Sequence, residues 1–188
     1  MKTLVLDLDE TLIFSSMEPF NQNELVLRIA GQTVYTLVRP GTKSFLDAVR
    51  EKYHCYIWST GVLPYIEAIM KALDASEGFT LWGRDKCRKA EDAPPDATEC
   101  YEKQLTNITE DLTQIAIVDN TPFCFRKYPM NGILSKTWRG DENDTELEHL
   151  GYYLDWLSKQ KSLQRDHRDW RIETLCMRAM MGKCFCPA

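Results

Sequence analysis

Three short apolar runs in this chain each stop abruptly at small polar or acidic residues, and that repeated break restricts the possible folds more than any other feature. Leu4-Val5-Leu6 runs into Asp7-Leu8-Asp9, Cys55-Tyr56-Ile57-Trp58 into Ser59-Thr60-Gly61, and Ile115-Ala116-Ile117-Val118 into Asp119-Asn120-Thr121. Short runs of this kind read as strands covered on both faces, which is how parallel sheets bury theirs. Between them apolar residues recur at helical spacing: Phe45, Leu46 and Val49 up to Arg50, then Ile66, Ile69, Met70 and Leu73 after Pro64. In an open parallel sheet the carboxyl ends of the strands open onto one crevice. The three polar tripeptides, far apart in sequence, are therefore expected at one site.

The remaining stretches elaborate the same rhythm. Residues 25–29 and 33–38 are β-rich runs separated by Ala30-Gly31-Gln32, a hairpin signature that places an insertion between the first strand and the first helix. Arg39-Pro40-Gly41 ends it. Phe79-Thr80-Leu81-Trp82 is a further apolar run, whereas residues 83–98 are charged, contain Ala93-Pro94-Pro95-Asp96, and read as a surface excursion. Gly132-Ile133-Leu134 offers another strand. Thr145 with Glu148 fits a capping box, opening a closing helix whose stripe is Leu147, Leu150, Leu154 and Leu157. The expected fold is α/β, a Rossmann-like open parallel sheet flanked by helices, with a β-hairpin insertion after the first strand. Residues 1–158 are expected to form this domain. Residues 159–188 are expected to be a C-terminal extension, helical and then irregular, ending in Cys184-Phe185-Cys186 and two further residues.

A chain of 188 residues suits one domain, and 44% hydrophobic residues supply a sizeable core. The net charge of −5 argues against unassisted binding to a nucleic-acid backbone. Seven cysteines, an odd number without regular spacing, do not make a disulfide framework, and no stretch reads as a secretory signal or a transmembrane span. A reducing intracellular setting with free thiols follows, in which Cys87 and Cys100 are not expected to pair. Cys184-x-Cys186 with Cys176 and His167 lacks the spacing of a standard zinc site.

In an extended backbone Asp7 and Asp9 project to the same side. Two carboxylates that close repel unless a cation or a shared proton intervenes. Mg²⁺ would supply the cation, and this hard ion takes oxygen ligands: the Asp7 carboxylate, the main-chain carbonyl of Asp9 and the Asn120 side chain, with Asp119 as a partner behind them. Taken alone, Asp-x-Asp also caps ordinary strand-to-helix turns. Three strand ends carrying polar groups move the reading towards a site.

The motifs, in order, resemble the haloacid dehalogenase superfamily of aspartate-based phosphatases, and within it the small RNA polymerase II C-terminal-domain phosphatases. The resemblance runs from about residue 1 to about residue 158. It is carried by Asp7, Asp9 and Thr11 within Leu-Asp-Leu-Asp-Glu-Thr-Leu, by Arg39-Pro40-Gly41 before Phe45-Leu46, and by Tyr101-Glu102-Lys103-Gln104-Leu105. Val118-Asp119-Asn120-Thr121-Pro122, Trp138 and Asp144-Thr145-Glu146-Leu147 complete it.

The resemblance implies the fold of that superfamily and a two-step phosphoryl transfer. Asp7 would be the nucleophile, Asp9 the general acid and then base, and Lys103 the cation on the phosphoryl group. Thr11, Ser59, Thr60 and Lys103 form the implied phosphate-binding set, and Asp7, Asp9 and Asn120 the Mg²⁺ set. Where the family usually has Phe-Thr-Ala-Ser, this chain has Trp58-Ser59-Thr60-Gly61. Ser59 keeps the hydroxyl, with Thr60 as its alternative. Met17, Leu27, Ile29, Val34 and Val62 stand where the family has an apolar peptide pocket. The implied substrate is a phosphoprotein such as the RNA polymerase II C-terminal tail, which favours a nuclear setting over a cytoplasmic one. Two other readings share the motifs: a silent phosphopeptide-binding relative, against which Asp7, Asp9, Lys103 and Asn120 all stand, and a small-metabolite phosphatase, against which the hairpin in place of a large cap stands. No oligomeric state is legible.

Overall fold

The computed structural model describes residues 1–91 and 100–180. In chain order its elements are β1 (Lys2–Leu6), β2 (Ile13–Ser16), β3 (Leu25–Ile29), β4 (Gln32–Val38), α1 (Thr42–Arg50), β5 (Tyr53–Trp58) and α2 (Leu63–Ala72). There follow β6 (Phe79–Trp82), β7 (Arg88–Lys89), β8 (Tyr101–Glu102), β9 (Ile115–Asp119), β10 (Gly132–Leu134), α3 (Glu146–Ser158) and α4 (Trp170–Met180).

Five strands form the expected parallel sheet in the order β10-β9-β1-β5-β6. The chain starts at the centre, builds β5 and β6 on one side, and then crosses to place β9 and β10 on the other. The order therefore reverses beside β1, and the crevice of such a sheet opens at that point. Leu4, Val5, Leu6 and Ile115 through Val118 have no exposed surface, as continuous apolar runs in a doubly covered sheet should. The alternating side chains divide the core. Leu4, Leu6, Ala116 and Val118 pack with residues of all four α-helices, whereas Val5, Ile115, Ile117 and Trp58 meet Leu105 and Phe125 on the opposite side. That second layer consists of short 3₁₀ turns, Leu105–Asn107, Leu112–Gln114 and Pro122–Phe125, which are too brief to show a period in sequence.

The insertion has three strands, in the order β2-β4-β3, not two. Its β3–β4 turn is the two residues Ala30 and Gly31, both at positive φ (49° and 83°), the backbone that lets a two-residue hairpin follow the strand twist. Gln32 already pairs with Ile29. The extra strand β2 pairs with β4 from Ile13↔Val38 to Ser16↔Tyr35, and its Ser15-Ser16 half hides it from an apolar-run search. On β10, a Cβ added at Gly132 would lie 2.1 Å from the Phe125 ring, so only glycine lets the strand pass.

The closing helix α3 is not capped as expected. Thr145 sits at φ −119°, ψ 10° and makes no side-chain cap bond. Asp144 takes the role instead, accepting from the Glu146 amide at 3.0 Å, while Glu148 is drawn away by Arg178 at 3.0 Å. Beyond α3 the chain returns to the core: Leu163 and Trp170 are fully buried, and the Trp170 indole donates to the Leu134 carbonyl at 3.0 Å. Arg171 of α4 pairs with the buried Glu146.

In the charged excursion, β7 and β8 pair antiparallel at its base. Ala93-Pro94-Pro95-Asp96 lies outside the described residues, as do Cys184, Phe185 and Cys186. The five described cysteines, Cys55, Cys87, Cys100, Cys124 and Cys176, are free thiols.

Candidate active site

After β1 the chain doubles back at once. Leu12 N–H donates to the Leu8 carbonyl at 2.8 Å, and Glu10 takes a left-handed φ of 58°, unusual for a residue with a long side chain. This knot leaves Asp7 and Asp9 at the strand end in two different settings.

Asp7 is buried and faces charge. Lys103, with no exposed surface, donates from Nζ to Asp7 Oδ1 and to Asp119 Oδ2, each at 2.7 Å. Thr11 Oγ1 donates to Asp7 Oδ2 at 2.9 Å. Burial alone would lower the Lys103 pKa, but Asp119 and Asp7 outweigh it and hold the ammonium form. Burial and the Asp7 charge push Asp119 up, against the pull of Lys103. Asp119 also accepts the Thr121 amide at 2.8 Å, so its oxygens are occupied in positioning and not in facing the crevice.

Asp9 instead meets neutral hydroxyls. Ser59 Oγ donates to its Oδ2 at 2.8 Å and the Tyr65 hydroxyl to its Oδ1 at 2.6 Å, while Gly61 N–H donates back to Ser59 Oγ at 2.8 Å. Burial raises the Asp9 pKa; the Tyr65 bond opposes it, and the Asp7 charge adds to it. One strand end thus carries a carboxylate paired with an ammonium and a second carboxyl whose environment favours keeping a proton. That split is what separates a nucleophile from a general acid.

Asn120 lies on the open side. Its Nδ2 donates to Glu10 Oε2 and Thr137 Oγ1, both at 3.3 Å, which turns Oδ1 inward, to 3.4 Å from Thr11 Oγ1. The Asp7 carboxylate and Asn120 Oδ1 therefore meet around Thr11. An all-oxygen set with one carboxylate fits a hard divalent cation.

Thr60 contributes its carbonyl, which accepts from Arg84 Nε at 2.7 Å. Met17, Ile29, Val34 and Val62 line one open cavity of about 480 Å³ together with Ser15, Tyr65 and Arg84. Leu27 does not join them and packs against the main core. A groove of about 560 Å³ between α1 and α3 is larger but lies away from the paired carboxylates.

Three participants had no role assigned from the sequence. Tyr65 holds Asp9, and its only prior sign is an aromatic hydroxyl in the first turn of the helix after Ser59-Thr60-Gly61. Glu10 orients Asn120 and is held in turn by Arg139 Nε at 3.1 Å. Arg39, 1% exposed, donates to Asp144 through two nitrogens (2.8 and 2.9 Å) and to the carbonyls of Thr11 and Lys136 (2.9 and 3.1 Å), tying the β1 knot to the loop before α3. A buried guanidinium needs that many acceptors.

Known proteins share this framework. Residues 2–164 match the model of the family described as NLI interacting factor-like phosphatase. The chain is 31% identical over 170 residues to "Probable C-terminal domain small phosphatase" of Dictyostelium discoideum, covering 87% of this chain and 53% of that protein. It is 30% identical over 166 residues to "Phosphatase Herzog" of Drosophila melanogaster, covering 86% and 46%. It is 28% identical over 160 residues to the human "Carboxy-terminal domain RNA polymerase II polypeptide A small phosphatase 1", covering 83% and 59%. The chain thus spans about half the length of these relatives. Among solved structures, that of Fcp1, described as an essential RNA polymerase II CTD phosphatase, superposes with a TM-score of 0.65 over 98% of this chain and 67% of that one; at 18% identity the likeness is one of fold. With the family's model matched across the whole sheet and through every strand end that builds the crevice, this chain belongs to the NLI interacting factor-like phosphatase family.

Proposed function

We propose that this chain is a Mg²⁺-dependent protein serine/threonine phosphatase that works through an aspartyl-phosphate. The observation that carries the reading is the contrast at one strand end: Asp7 against Lys103 and Thr11, Asp9 against Tyr65 and Ser59. In the first half-reaction an Asp7 carboxylate oxygen attacks the substrate phosphorus. The bond from phosphorus to the seryl or threonyl oxygen breaks, and Asp9 gives that oxygen its proton. In the second, Asp9 takes a proton from water as the water oxygen bonds to phosphorus, the bond to Asp7 breaks, and inorganic phosphate leaves. Lys103 has three N–H donors and spends two on Asp7 and Asp119, so one remains for a phosphoryl oxygen. Mg²⁺, held by Asp7, the Asp9 carbonyl and Asn120, would offset the negative charge gathered between nucleophile and phosphoryl group.

The substrate we infer is a phosphoserine peptide like those of the RNA polymerase II C-terminal tail, named for relatives of this chain. The apolar cavity beside Tyr65 supports a peptide over a small metabolite, since it offers an apolar side chain a seat next to the carboxylates. This substrate would place the protein in the nucleus. Among the described residues no helix is long and apolar enough to cross a membrane. The test is a panel of phosphopeptides, polymerase-tail repeats among unrelated phosphoserine sequences, assayed with and without Mg²⁺. The proposal expects Mg²⁺-dependent phosphate release that favours the tail repeats. Release unaffected by chelation, or peptide binding with no release by a folded protein, overturns it.

A further inference from the structure

The Asp9 contacts continue outward as an ordered chain of hydroxyls. Tyr65 donates its one proton to Asp9 Oδ1 at 2.6 Å, so the 2.8 Å contact between Tyr65 and Ser15 must be a donation from Ser15 Oγ. Ser15 Oγ then accepts from Thr36 Oγ1, also at 2.8 Å and fully buried on β4. The chain runs from the hairpin insertion, through α2, to the carboxyl group that must hand over a proton. Both Asp9 oxygens are engaged, Oδ1 by Tyr65 and Oδ2 by Ser59, so the group is restrained from both sides. Tyr65 and Ser15 are also walls of the cavity shared with Met17, Ile29 and Val34.

A second observation is independent of these bonds. A Cβ added at Gly61 would sit 3.0 Å from Tyr65 Cδ1 and 3.1 Å from Ser59 Oγ, tighter than ordinary contact with both residues that hold Asp9. Gly61 falls in the tripeptide where this chain departs from the pattern it otherwise resembles. The missing side chain is the room into which the Tyr65 ring leans.

We propose that Tyr65, seated over Gly61 and oriented by Ser15, is the positioning residue that aims Asp9 at the leaving-group oxygen and ties that aim to the peptide-binding wall. The inference rests on the phosphatase reading. Removing the hydroxyl leaves the ring, and hence the wall, in place. The loss should then fall on steps that need a proton delivered, and not on peptide affinity.

The experiment compares wild type, Tyr65→Phe, Gly61→Ala and Asp9→Asn by kcat/KM on a phosphoserine peptide, whose leaving group needs a proton, and on dinitrophenyl phosphate, whose leaving group does not. Thermal unfolding of each variant is followed alongside. Tyr65→Phe is expected to lose about 10- to 100-fold on the peptide and less than about 3-fold on dinitrophenyl phosphate, the scale set by one hydrogen bond to a charged group. Peptide KM and the unfolding midpoint should stay near those of wild type. Gly61→Ala should show the same asymmetry in weaker form, and Asp9→Asn in stronger form. If Asp9→Asn shows the asymmetry and Tyr65→Phe does not, the positioning role is overturned and the phosphatase reading stands. If Asp9→Asn loses equally on both substrates, or wild type cleaves neither, the phosphatase reading and this inference fall together.

Discussion

Replacing Lys103 with methionine removes the ammonium that sits 2.7 Å from both Asp7 and Asp119 while keeping most of the side-chain volume. The two carboxylates are 5% and 1% exposed, so water replaces little of the lost partner. Breaking a buried ion pair by deleting one member costs about 3–5 kcal/mol, and here one deletion orphans two anions, so a value near about 5 kcal/mol is expected. Asp119→Asn alone leaves Lys103 paired with Asp7 and forfeits one charge-assisted bond, about 1.5–3 kcal/mol. In the double variant Asp119 is no longer an orphaned charge, so the loss should fall short of the sum of the singles by about 2 kcal/mol or more. Urea unfolding in the presence of chelator measures all four proteins without metal in the crevice. Additivity within about 0.5 kcal/mol, or a Lys103→Met loss below about 1 kcal/mol, would refute the claim that one buried lysine neutralises two acids.

Burial pushes the His167 imidazole down to about 4, and the ring is neutral, accepting from Tyr153 and donating to the Leu163 carbonyl. Because the folded pKa lies below the ordinary 6.5, the unfolded chain binds the proton first as pH falls. Stability is therefore whole above about pH 6.5 and declines towards pH 4, by up to about 3 kcal/mol; denaturation at stepped pH should show a shallower decline in His167→Phe. At the cavity, Met17→Asp should lower peptide kcat/KM about 10-fold or more and leave a small aryl phosphate within about 3-fold, the scale of one apolar side chain's burial. Equal losses on both substrates would remove Met17 from recognition.

The sheet was legible because its signal is local. An apolar run such as Ile115–Val118 that stops at Asp119 needs no knowledge of the rest of the chain, and the topology rule then brings the strand ends together. Asp7, Lys103 and Asn120 were placed by motif and do converge around Thr11 and Asp119. What was hidden is what depends on partners far along the chain. Tyr65 contacts Asp9 across 56 positions, and Arg39 reaches Asp144 across 105. Strand β2 exists because β4 offers it an edge, not because Ile13-Phe14-Ser15-Ser16 is strongly β-forming. Thr145 carries the sequence signature of a cap, yet Asp144 takes the first amide because Arg39 already holds that carboxylate in place. Leu27 alternates with exposed residues as a pocket wall would, and only packing against α2 and the main core shows which side it faces.

The central claim is that Asp7 bonds covalently to phosphorus while Asp9 moves protons. It is tested most directly by quenching turnover of a phosphopeptide in acid, reducing the acyl phosphate with borohydride, and sequencing the product by mass spectrometry. The account predicts homoserine at position 7, absent in Asp7→Asn and absent without substrate. Homoserine at position 9, or full turnover by Asp7→Asn, would contradict it.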